Sequence, residues 1–588
     1  MPGIVGFTAP AGWSDEEAGA ALLKMRDALQ YCEKHQTGPC LSFPGVRGSG
    51  VSTNPHQEQV FSTPDLTVWM DGECWIGDES ARIPGAGNAV GPALLHALFQ
   101  SDDPLSAPAA LEGTFAAAVY DARARKVHLV SDRYGLRQLC WTRRGEALAW
   151  ATESKALLHL PGFSPVLDRL SLDAFLGIGY LLGNRTWLEN VERLAPATCL
   201  TWDLRERTIQ ERRYWDWGRV SADIGKASPR ELAEELGRRF TRAVERRCGP
   251  GERVGLTLSG GLDSRAILAA MPQRREPVPV LTFGSGNSSE VRIAAMAAAL
   301  KGARHHTFEI GPRNWFLPRI GGVWATDGQL DLYHMHGVEY PGLGDLFATA
   351  LSGAGGDGIV GGGHLFEAAG FCDYARNVLF LDPERSPALA AVLEEEFSRA
   401  GSAHALYITH RMRCFTLQGL RLWTARGADY RLPFLDNRFQ ELLFAIPTAL
   451  KRHNRLYRTM LLTAFPDYFK DIPWQATGLP LSWPMWAVRA RAKLLGLGRR
   501  LGLRGRGERT GLFDYPGWIR TEPARGTFSG LLANPDALYR NYISGKAVTA
   551  ALEEHLNGSD RSRQLCRYLT LELWLQQVFQ GRWRQGPE

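Results

Sequence analysis

The amino-acid sequence predicts an α/β protein with two unlike parts, and three observations support this fold class. Residues 1–217 contain short alternating runs such as "LTVWMDGECWIG", which are typical of strands with one buried face. From residue 228 onward, continuous apolar strands alternate with helical segments, a pattern typical of a parallel sheet covered on both sides. Between these parts, "GRVSADIGKASPRE" is polar and turn-forming, so we place the domain boundary there.

Length and composition limit the class of protein. The 588 residues are enough for two or three domains, and 44% hydrophobic with 22% charged residues is typical of a globular chain. The first residues lack the basic and apolar regions of a signal peptide, and no run approaches the ~20 apolar residues of a membrane span. Nine scattered cysteines without a CxxC pair indicate reduced thiols rather than disulfides or zinc. We therefore expect a cytoplasmic protein.

Positive charge is concentrated in one segment. Residues 486–510 hold seven arginines and one lysine against the single acidic residue Glu508. A solvated surface explains such a run, and so does a site for something acidic, either a peptide or a nucleic acid. The sequence leaves both interpretations open.

The second part begins with a strong helix signal and then alternates strands with helices. Ser228-Pro229 predicts a helix through about Arg247, because serine caps the free amides and proline suits the first turn. The predicted strands that follow are 253–259, 277–284 and 304–310, and the predicted helices begin at Asp263 and cover 289–301.

The string "LTLSGGLDSRAI" lies at the first of these strand–helix junctions. In a parallel sheet, ligands bind at the carboxyl ends of the strands. Gly260 and Gly261 let the backbone approach a ligand closely, and the next helix points its free N–H groups at it. Asp263 would hold Mg²⁺ beside a phosphate, and Ser264 adds a hydroxyl donor. No GxxxxGK[ST] string is present, so the predicted phosphate loop is not of the Walker type.

These strings resemble a known superfamily. "SGGLDS" is similar to the pyrophosphate loop of ATP pyrophosphatases, and three more segments narrow the resemblance to the asparagine synthetase superfamily: "LSGAGGDGIVGGG" (351–363), "RLPFLDNRFQELLFAIPTALK" (431–451) and "LEGTFAAAVYDARARKVHLVSDRYGLRQLCW" (111–141). The likeness covers most of residues 1–470. It implies a glutaminase-like αββα domain over 1–217, then an ATP-pyrophosphatase-type parallel α/β synthetase domain over 228–588 with a basic insertion about 486–510.

The resemblance also implies ATP and Mg²⁺ as cofactors. Asp263 and Asp357 would coordinate the metal, and both are catalytic candidates. Arg265 directly follows the loop and is the third catalytic candidate, able to reach a phosphate or to form a surface salt bridge. The implied ATP-binding residues are Thr257, Leu258, Ser259, Gly260, Gly261, Leu262, Asp263, Ser264, Phe283, Ser352 and Gly353.

The N-terminus departs from the glutamine-using members of this superfamily, which begin Met-Cys-Gly. Removal of Met leaves their Cys as an N-terminal nucleophile whose own amine is the base. This chain begins "MPGIVGF", and Pro2 has no thiol. We therefore expect no glutamine hydrolysis and an N-terminal domain that is retained as a scaffold.

The synthetase part departs from the family as well. Ala354 and Gly358 replace both glutamates of the SGEGSDE-like segment, and the usual lysine after "PTALK" is not evident. Such a site is not built for aspartate plus ammonia. Members without the N-terminal Cys include β-lactam synthetases, which carry a Tyr where Ala354 stands, and lasso peptide cyclases. The sequence favours a lasso peptide cyclase, which joins a peptide's Asp or Glu side chain to its N-terminal amine as a macrolactam.

The resemblance implies a short precursor peptide as substrate, with a leader-peptide protease and a leader-recognition protein as possible partners. A membrane partner is not expected, and a nucleic acid is disfavoured. Four alternatives stay open: an ammonia-dependent asparagine synthetase, another small-molecule amide ligase, a tRNA-modifying ATP pyrophosphatase, and a catalytically dead scaffold in a biosynthetic complex.

Overall fold

The computed structural model describes residues 2–9, 12–53, 58–77, 89–221, 223–249, 251–285, 288–361, 370–376, 387–500 and 513–585. The side chains of residues 357, 485, 492 and 495–500 are outside this description. The predicted basic insertion is therefore described up to residue 500, and residues 501–510 lie outside the described part of the chain.

Two antiparallel sheets form the N-terminal half. Their orders are β11-β9-β10-β1-β4-β2, with β3 paired to β4, and β13-β12-β8-β7-β6-β5. Helix α1 (Asp15–Asp27) packs on the first sheet and α2 (Gly91–Phe99) on the second, which confirms the predicted αββα layers. The strands are β1 (Gly3–Thr8), β2 (Gln36–Thr37), β3 (Leu41–Phe43), β4 (Val46–Ser52), β5 (Val60–Ser62), β6 (Leu66–Ile76), β7 (Leu111–Asp121), β8 (Lys126–Ser131), β9 (Cys140–Arg144), β10 (Ala147–Ala151), β11 (Glu192–Arg193), β12 (Thr198–Asp203) and β13 (Ile209–Arg213).

Tryptophans fill the space between the two sheets, and glycines make room for them. Trp69 and Trp150 are both fully buried, with ring centroids 6.4 Å apart. Gly6 and Gly48 lie opposite each other in β1 and β4. A Cβ on Gly6 would lie 2.2 Å from Trp150, and one on Gly48 would lie 2.6 Å from Trp69. Both positions therefore require glycine to admit the indole rings.

The second half is built on a parallel sheet, as the sequence predicts, and its strand order is β16-β15-β14-β17-β18. Its strands are β14 (Val254–Thr257), β15 (Pro279–Phe283), β16 (Arg304–Phe308), β17 (Thr349–Leu351) and β18 (Asp429–Arg431). Its helices are α4 (Pro229–Arg246), α5 (Leu262–Ala270), α6 (Ser289–Lys301), α7 (Leu317–Ala325), α8 (Leu343–Leu346), α9 (Phe371–Tyr374), α10 (Pro387–Ala400), α11 (Ala403–Leu406), α12 (Leu417–Ala425), α13 (Asn437–Ala445), α14 (Thr448–Lys451), α15 (Arg455–Ala464) and α16 (Pro466–Phe469). The strand order places β14 at the centre, with β15 and β16 on one side and β17 and β18 on the other. The loop after β14 therefore lies at the point where the strand order reverses, which is where such sheets bind ligands.

Helix α4 starts as its sequence predicts. The Ser228 hydroxyl accepts from the Glu231 N–H, and the Glu231 side chain accepts from the Ser228 N–H, which is a complete capping box. The predicted division between residues 217 and 228 lies between the last strand of the N-terminal half and this helix. The domain boundary between residues 217 and 228 stays a prediction.

The C-terminal region consists of helices. They are α17 (Met485–Arg500), α18 (Tyr515–Ile519), α19 (Ala524–Leu532), α20 (Gly545–Leu556) and α21 (Ser562–Leu575). Helix α21 packs on α7 and on α3 (Arg169–Ile178), and its Trp574 stacks on Trp187 with centroids 4.8 Å apart. In the described part of the chain, no helix is long and apolar enough to cross a membrane.

A buried ionic network joins the two halves. Lys155 Nζ lies 3.2 Å from Asp327 Oδ1, and Lys155 also contacts Glu153. The Arg421 guanidinium lies 3.2 Å from Asp327 and 3.3 Å from Glu153. Burial alone would raise the pKa of Asp327, but Lys155 and Arg421 outweigh burial and hold this pKa well below its ordinary value. Removing any one of these four side chains would therefore leave a buried charge without its full compensation.

Replacing Arg421 with Met should therefore destabilise the whole protein. The substitution leaves Glu153 and Asp327 buried with one cation, Lys155, and we expect the free energy of unfolding to fall by about 3–5 kcal/mol. Urea denaturation at pH 7 measures the change. Arg230→Met is the matched control because the Arg230 side chain is 80% exposed and should cost under about 0.5 kcal/mol. Equal stabilities of the two variants would contradict the expectation.

Candidate nucleotide-binding site

The loop between β14 and α5 is held in shape by its own serines. The Ser259 N–H donates to Ser264 Oγ at 3.0 Å, and the two hydroxyl oxygens lie 2.9 Å apart. Ser259 Oγ also accepts from the Gly261 N–H at 3.2 Å. The predicted phosphate loop is therefore preformed by local hydrogen bonds.

Helix α5 begins directly at this loop and has no side-chain cap. Its N-cap residue is Gly261, which has no side-chain oxygen to accept from the first-turn N–H groups. A helix start of this kind attracts an anion, because the free N–H groups and the helix dipole both favour negative charge. Leu262 is buried under the loop and anchors the helix start in the core.

Asp263 lies where this loop meets the segment that follows β17. A Cβ on Gly356 would lie 2.2 Å from Asp263 Cγ, and one on Gly353 would lie 3.1 Å from Asp263 Cβ. The Tyr457 hydroxyl, from α15, donates to Asp263 Oδ1 at 2.6 Å. The carboxylate is thus enclosed by two glycine backbones and one phenol.

Two polar side chains flank the other side of the loop. A Cβ on Gly260 would lie 3.1 Å from Gln475 Cβ and 3.4 Å from Glu290 Cα. Gln475 Nε2 donates to Glu290 Oε2 at 3.0 Å. Burial raises the pKa of Glu290. Gly260 therefore passes through a gap that a larger residue would close.

These features fit ATP with Mg²⁺. The glycine backbones make a cradle that side chains would fill, the helix start suits a phosphate, and Asp263 offers the carboxylate oxygen that Mg²⁺ prefers. Among the described residues, no group of three His, Cys, Asp or Glu side chains is placed to hold a metal ion. Mg²⁺ bound through one or two carboxylates and substrate phosphates does not require such a group.

The residues predicted to lie under the adenine are at the ends of two neighbouring strands. Thr257 and Phe283 are half-buried, whereas Leu258 is buried and its N–H donates to Leu281 O at 2.8 Å. On the far side, the Ser352 N–H donates to Arg431 O at 3.0 Å, and Ser352 Oγ accepts from the Ala354 N–H at 3.2 Å. The structure thus brings the predicted ATP-binding residues to one edge of the sheet.

The structure corrects one of the two interactions predicted for Arg265. The surface salt bridge predicted for it is wrong, because the Arg265 side chain is fully buried. It donates to the backbone oxygens of Gly261, Tyr468 and Ile472 and lies over the Phe469 ring. Because residue 265 is one turn inside α5, its side chain reaches both Gly261 in the loop and α16. Arg265 therefore braces the start of α5, and its catalytic role stays a prediction.

Asp357 cannot be placed by its side chain, which lies outside the description, and its metal role stays a prediction. The next residue is informative. A Cβ on Gly358 would lie 2.0 Å from the Tyr407 hydroxyl oxygen and 2.5 Å from Tyr407 Cζ. Tyr407 thus occupies the space that a side chain at residue 358 would need.

Two basic residues, one at the end of "PTALK" and one after it, bind backbone carbonyls. Lys451 Nζ donates to Leu443 O at 2.8 Å, and burial lowers the Lys451 pKa to about 8. Arg458 donates to Leu481 O at 2.6 Å and to Trp483 O at 3.1 Å. Both cations therefore bind backbone carbonyls.

In the N-terminal half, Pro2 is buried just before β1. Asp71, on β6, is also buried, and its Oδ2 lies 3.6 Å from the Arg137 guanidinium. Burial raises the Asp71 pKa to about 6, although Arg137 opposes the shift. Arg137 also pairs with Asp429 at 2.6 Å, so this region of the N-terminal half is tied to β18.

The fold and this site define a class of protein in which an amidotransferase-like domain precedes a parallel-sheet nucleotide-binding domain. Comparisons agree. A family model described as Asparagine synthase matches residues 235–473, and one described as Glutamine amidotransferase domain matches residues 94–215. Glutamine-hydrolyzing asparagine synthetase 3 of Bacillus subtilis is 30% identical over 435 residues, covering 63% of this chain and 68% of that protein. This chain therefore belongs to the asparagine synthetase family.

Two further comparisons are more partial. A putative glutamine-hydrolyzing asparagine synthetase of Mycobacterium tuberculosis is 28% identical over 271 residues, covering 43% of this chain; the match spans 40% of that relative's length. A solved structure of the allosteric regulatory enzyme of purine biosynthesis aligns over 52% of this chain and 80% of its own, with 13% identity and a TM-score of 0.23. At that TM-score the alignment adds nothing to the fold described above.

Three side chains at the site were missed by the sequence analysis: Tyr457, Gln475 and Tyr407. Each comes from a helix or loop far along the chain from the residue it contacts. No local motif marks them, because their role depends on how α15, the loop after α16 and the segment after α11 pack.

The contact between Gly358 and Tyr407 can be tested by stability. Gly358→Ala should lower the free energy of unfolding by about 1–3 kcal/mol, because the new Cβ overlaps the phenol. The double variant with Tyr407→Ala should recover part of that loss, and thermal denaturation measures the cycle. Gly530→Ala, in α19, is the control because its Cβ would meet nothing within 4 Å. If the double variant lost as much free energy of unfolding as the two single variants together, the contact would be contradicted.

Proposed function

We propose that this protein is an ATP-dependent ligase that forms a carbon–nitrogen bond by first adenylating a carboxylate. The observation that carries the proposal is the glycine-lined meeting of two loops at Asp263. Such a close backbone approach leaves room for phosphates and places a carboxylate for Mg²⁺ beside them.

In the adenylation step, a substrate carboxylate oxygen attacks the α-phosphorus of ATP, and pyrophosphate leaves. Mg²⁺, held by Asp263 and Asp357, would neutralise charge on the phosphates. The first-turn amides of α5 and the Ser259–Ser264 loop bind the phosphates and fix the line of attack. Tyr457 orients the Asp263 carboxylate through its hydrogen bond to Oδ1.

We further propose that the carboxylate and the attacking amine belong to one short precursor peptide, as in a lasso peptide cyclase. The support is the pair of departures at Ala354 and Gly358, because Tyr407 leaves no space for a glutamate at 358. A peptide that presents its own amine needs positioning more than it needs a second acidic group. A leader-peptide protease and a leader-recognition protein are the partners this substrate implies.

We propose that the N-terminal half does not hydrolyse glutamine. Pro2 stands where the glutamine-using members carry their nucleophile, and a proline has no thiol. The half is retained because the network of Glu153, Lys155, Asp327 and Arg421 makes it part of the fold of the synthetase half.

A second candidate function is ammonia-dependent asparagine synthesis. The observation that favours it is the 30% identity to an asparagine synthetase of Bacillus subtilis. It is disfavoured by Ala354 and Gly358, which leave the acceptor side without the two glutamates.

Pyrophosphate release with ATP and Mg²⁺ tests the proposed function. We expect release with linear peptides that carry a free N-terminal amine and one Asp or Glu, together with the loss of one water from the peptide mass. Asp263→Asn should lower the rate by about 100-fold or more, because it removes a carboxylate that would hold Mg²⁺ at the phosphates. The exposed Asp223→Asn is the matched control.

Two outcomes would contradict this expectation. Release with aspartate and ammonia alone would establish the second candidate function. No release with any of these substrates would instead favour a scaffold without ATP chemistry.

The missing glutaminase has its own assay. Incubation of the full chain with glutamine, ATP and a productive peptide should yield no glutamate, because Pro2 offers no nucleophile. Enzymatic determination of glutamate measures the result, with ammonium chloride in place of glutamine as the parallel sample. Glutamate that appears in proportion to the protein concentration would overturn this prediction.

A further inference from the structure

We infer that the Tyr407 hydroxyl orients the attacking amine in the amide-forming step, at the point where the family's segment carries its second glutamate. This inference rests on the proposed function. It concerns the second step of the reaction, after the carboxylate has been adenylated. The acceptor side, where the amine attacks the acyl-adenylate, would then include a residue from a separate helical segment.

The first support is the position of the phenol. The Tyr407 hydroxyl oxygen lies 2.0 Å from the point that a Cβ on Gly358 would occupy. Gly358 immediately follows Asp357 and lies in the segment that closes over Asp263 through Gly356. The hydroxyl therefore lies beside the segment that approaches Asp263, and Tyr407 is half-buried there.

The second support is the backbone that carries this residue. Tyr407 is the first residue of a π-helical stretch, Tyr407–Thr416, that continues α11. π-Helical geometry is rare and is frequent at functional sites, where the wider turn changes the direction of the side chains. Gly358 lies in a π-helical stretch as well, Gly356–Val360. The two irregular segments therefore meet at the phenol.

The third support is that hydrogen bonds to the N-terminal half hold the stretch Tyr407–Thr416 in place. The Arg413 guanidinium donates to Leu194 O at 2.8 Å, Asn184 Oδ1 at 2.9 Å and Gly183 O at 3.2 Å. These acceptors all belong to the N-terminal half. The scaffold thus holds the π-helical stretch in place, which gives the retained N-terminal half a role at the acceptor side.

The chemistry assigned to Tyr407 leaves the residue unchanged. The amine nitrogen forms a bond to the acyl carbon, the bond between that carbon and the AMP phosphate oxygen breaks, and AMP leaves with the electron pair. The surplus amine proton passes to the departing phosphate or to water. The phenol oxygen accepts a hydrogen bond from an amine N–H and aligns the nitrogen lone pair with the acyl carbon.

Tyr407→Phe tests the assignment, because it keeps the ring and removes the hydroxyl. Two rates are measured on the full chain with a peptide that the wild-type protein cyclises. Adenylation is followed as hydroxamate formed when hydroxylamine traps the acyl-adenylate, and amide formation is followed as peptide that has lost one water. We expect hydroxamate formation within about 2-fold of wild type and macrolactam formation reduced on the order of 100-fold.

The matched control is Tyr374→Phe. Tyr374 lies in the same apolar cluster as Tyr407 and is fully buried, and its hydroxyl has no hydrogen-bond partner among the described residues. We expect both rates to stay at the wild-type level in this variant. A structural loss caused by removing any phenol from this cluster would lower both rates in both variants, and that result would overturn the assignment.

Different results would overturn the proposed function and the role of Tyr407. A wild-type protein that forms neither hydroxamate nor macrolactam with any peptide would overturn the proposed function. A wild-type protein that cyclises a peptide, with Tyr407→Phe cyclising it equally fast, would leave the ligase intact and overturn the role of Tyr407.

Discussion

The parallel pairing of β14 with β17 is the constraint on which the rest of the site depends. Leu256 lies opposite Leu351, so both strands end at the same edge of the sheet and their loops leave side by side. Asp263 then meets the backbone of Gly356, although the two residues are far apart in the chain. A side chain at residue 356 would push the loops apart. The packing of the two loops therefore requires glycine at this position, whether or not a ligand is bound.

The N-terminal half has become part of the support for that sheet. Arg137 pairs with Asp429 on β18, and the network around Lys155 and Arg421 is buried between the halves. Buried charges of this kind contribute little net stability but are costly to break singly. Removing the N-terminal half would leave Asp429 without Arg137, and it would leave the buried pair of Asp327 and Arg421 without Glu153 and Lys155, so this half supports the fold of the synthetase half.

The sequence predicted the fold well, because strand periodicity and caps are local signals. Ser228 starts α4 as expected, and the order of strands and helices after it matches the predicted alternation. The sequence was less informative for the site. Arg265 sits beside the phosphate loop in the chain, yet the turn of α5 carries its side chain into the core. Tyr457 and Tyr407 reach the site from distant helices, and only tertiary packing decides where such side chains point.

The exchange of glutamates for Ala354 and Gly358 changes the electrostatics of the acceptor side. Two carboxylates beside a nucleotide would repel it, by about 4 kcal/mol for unit charges 4 Å apart at an effective dielectric of 20. They are useful where a strongly basic amine must be held and deprotonated. A peptide α-amine has a pKa of about 8, so about a tenth of it is already neutral at pH 7. For the proposed peptide nucleophile, the neutral Tyr407 phenol would fix the direction of attack, and a carboxylate would add repulsion without a matching gain.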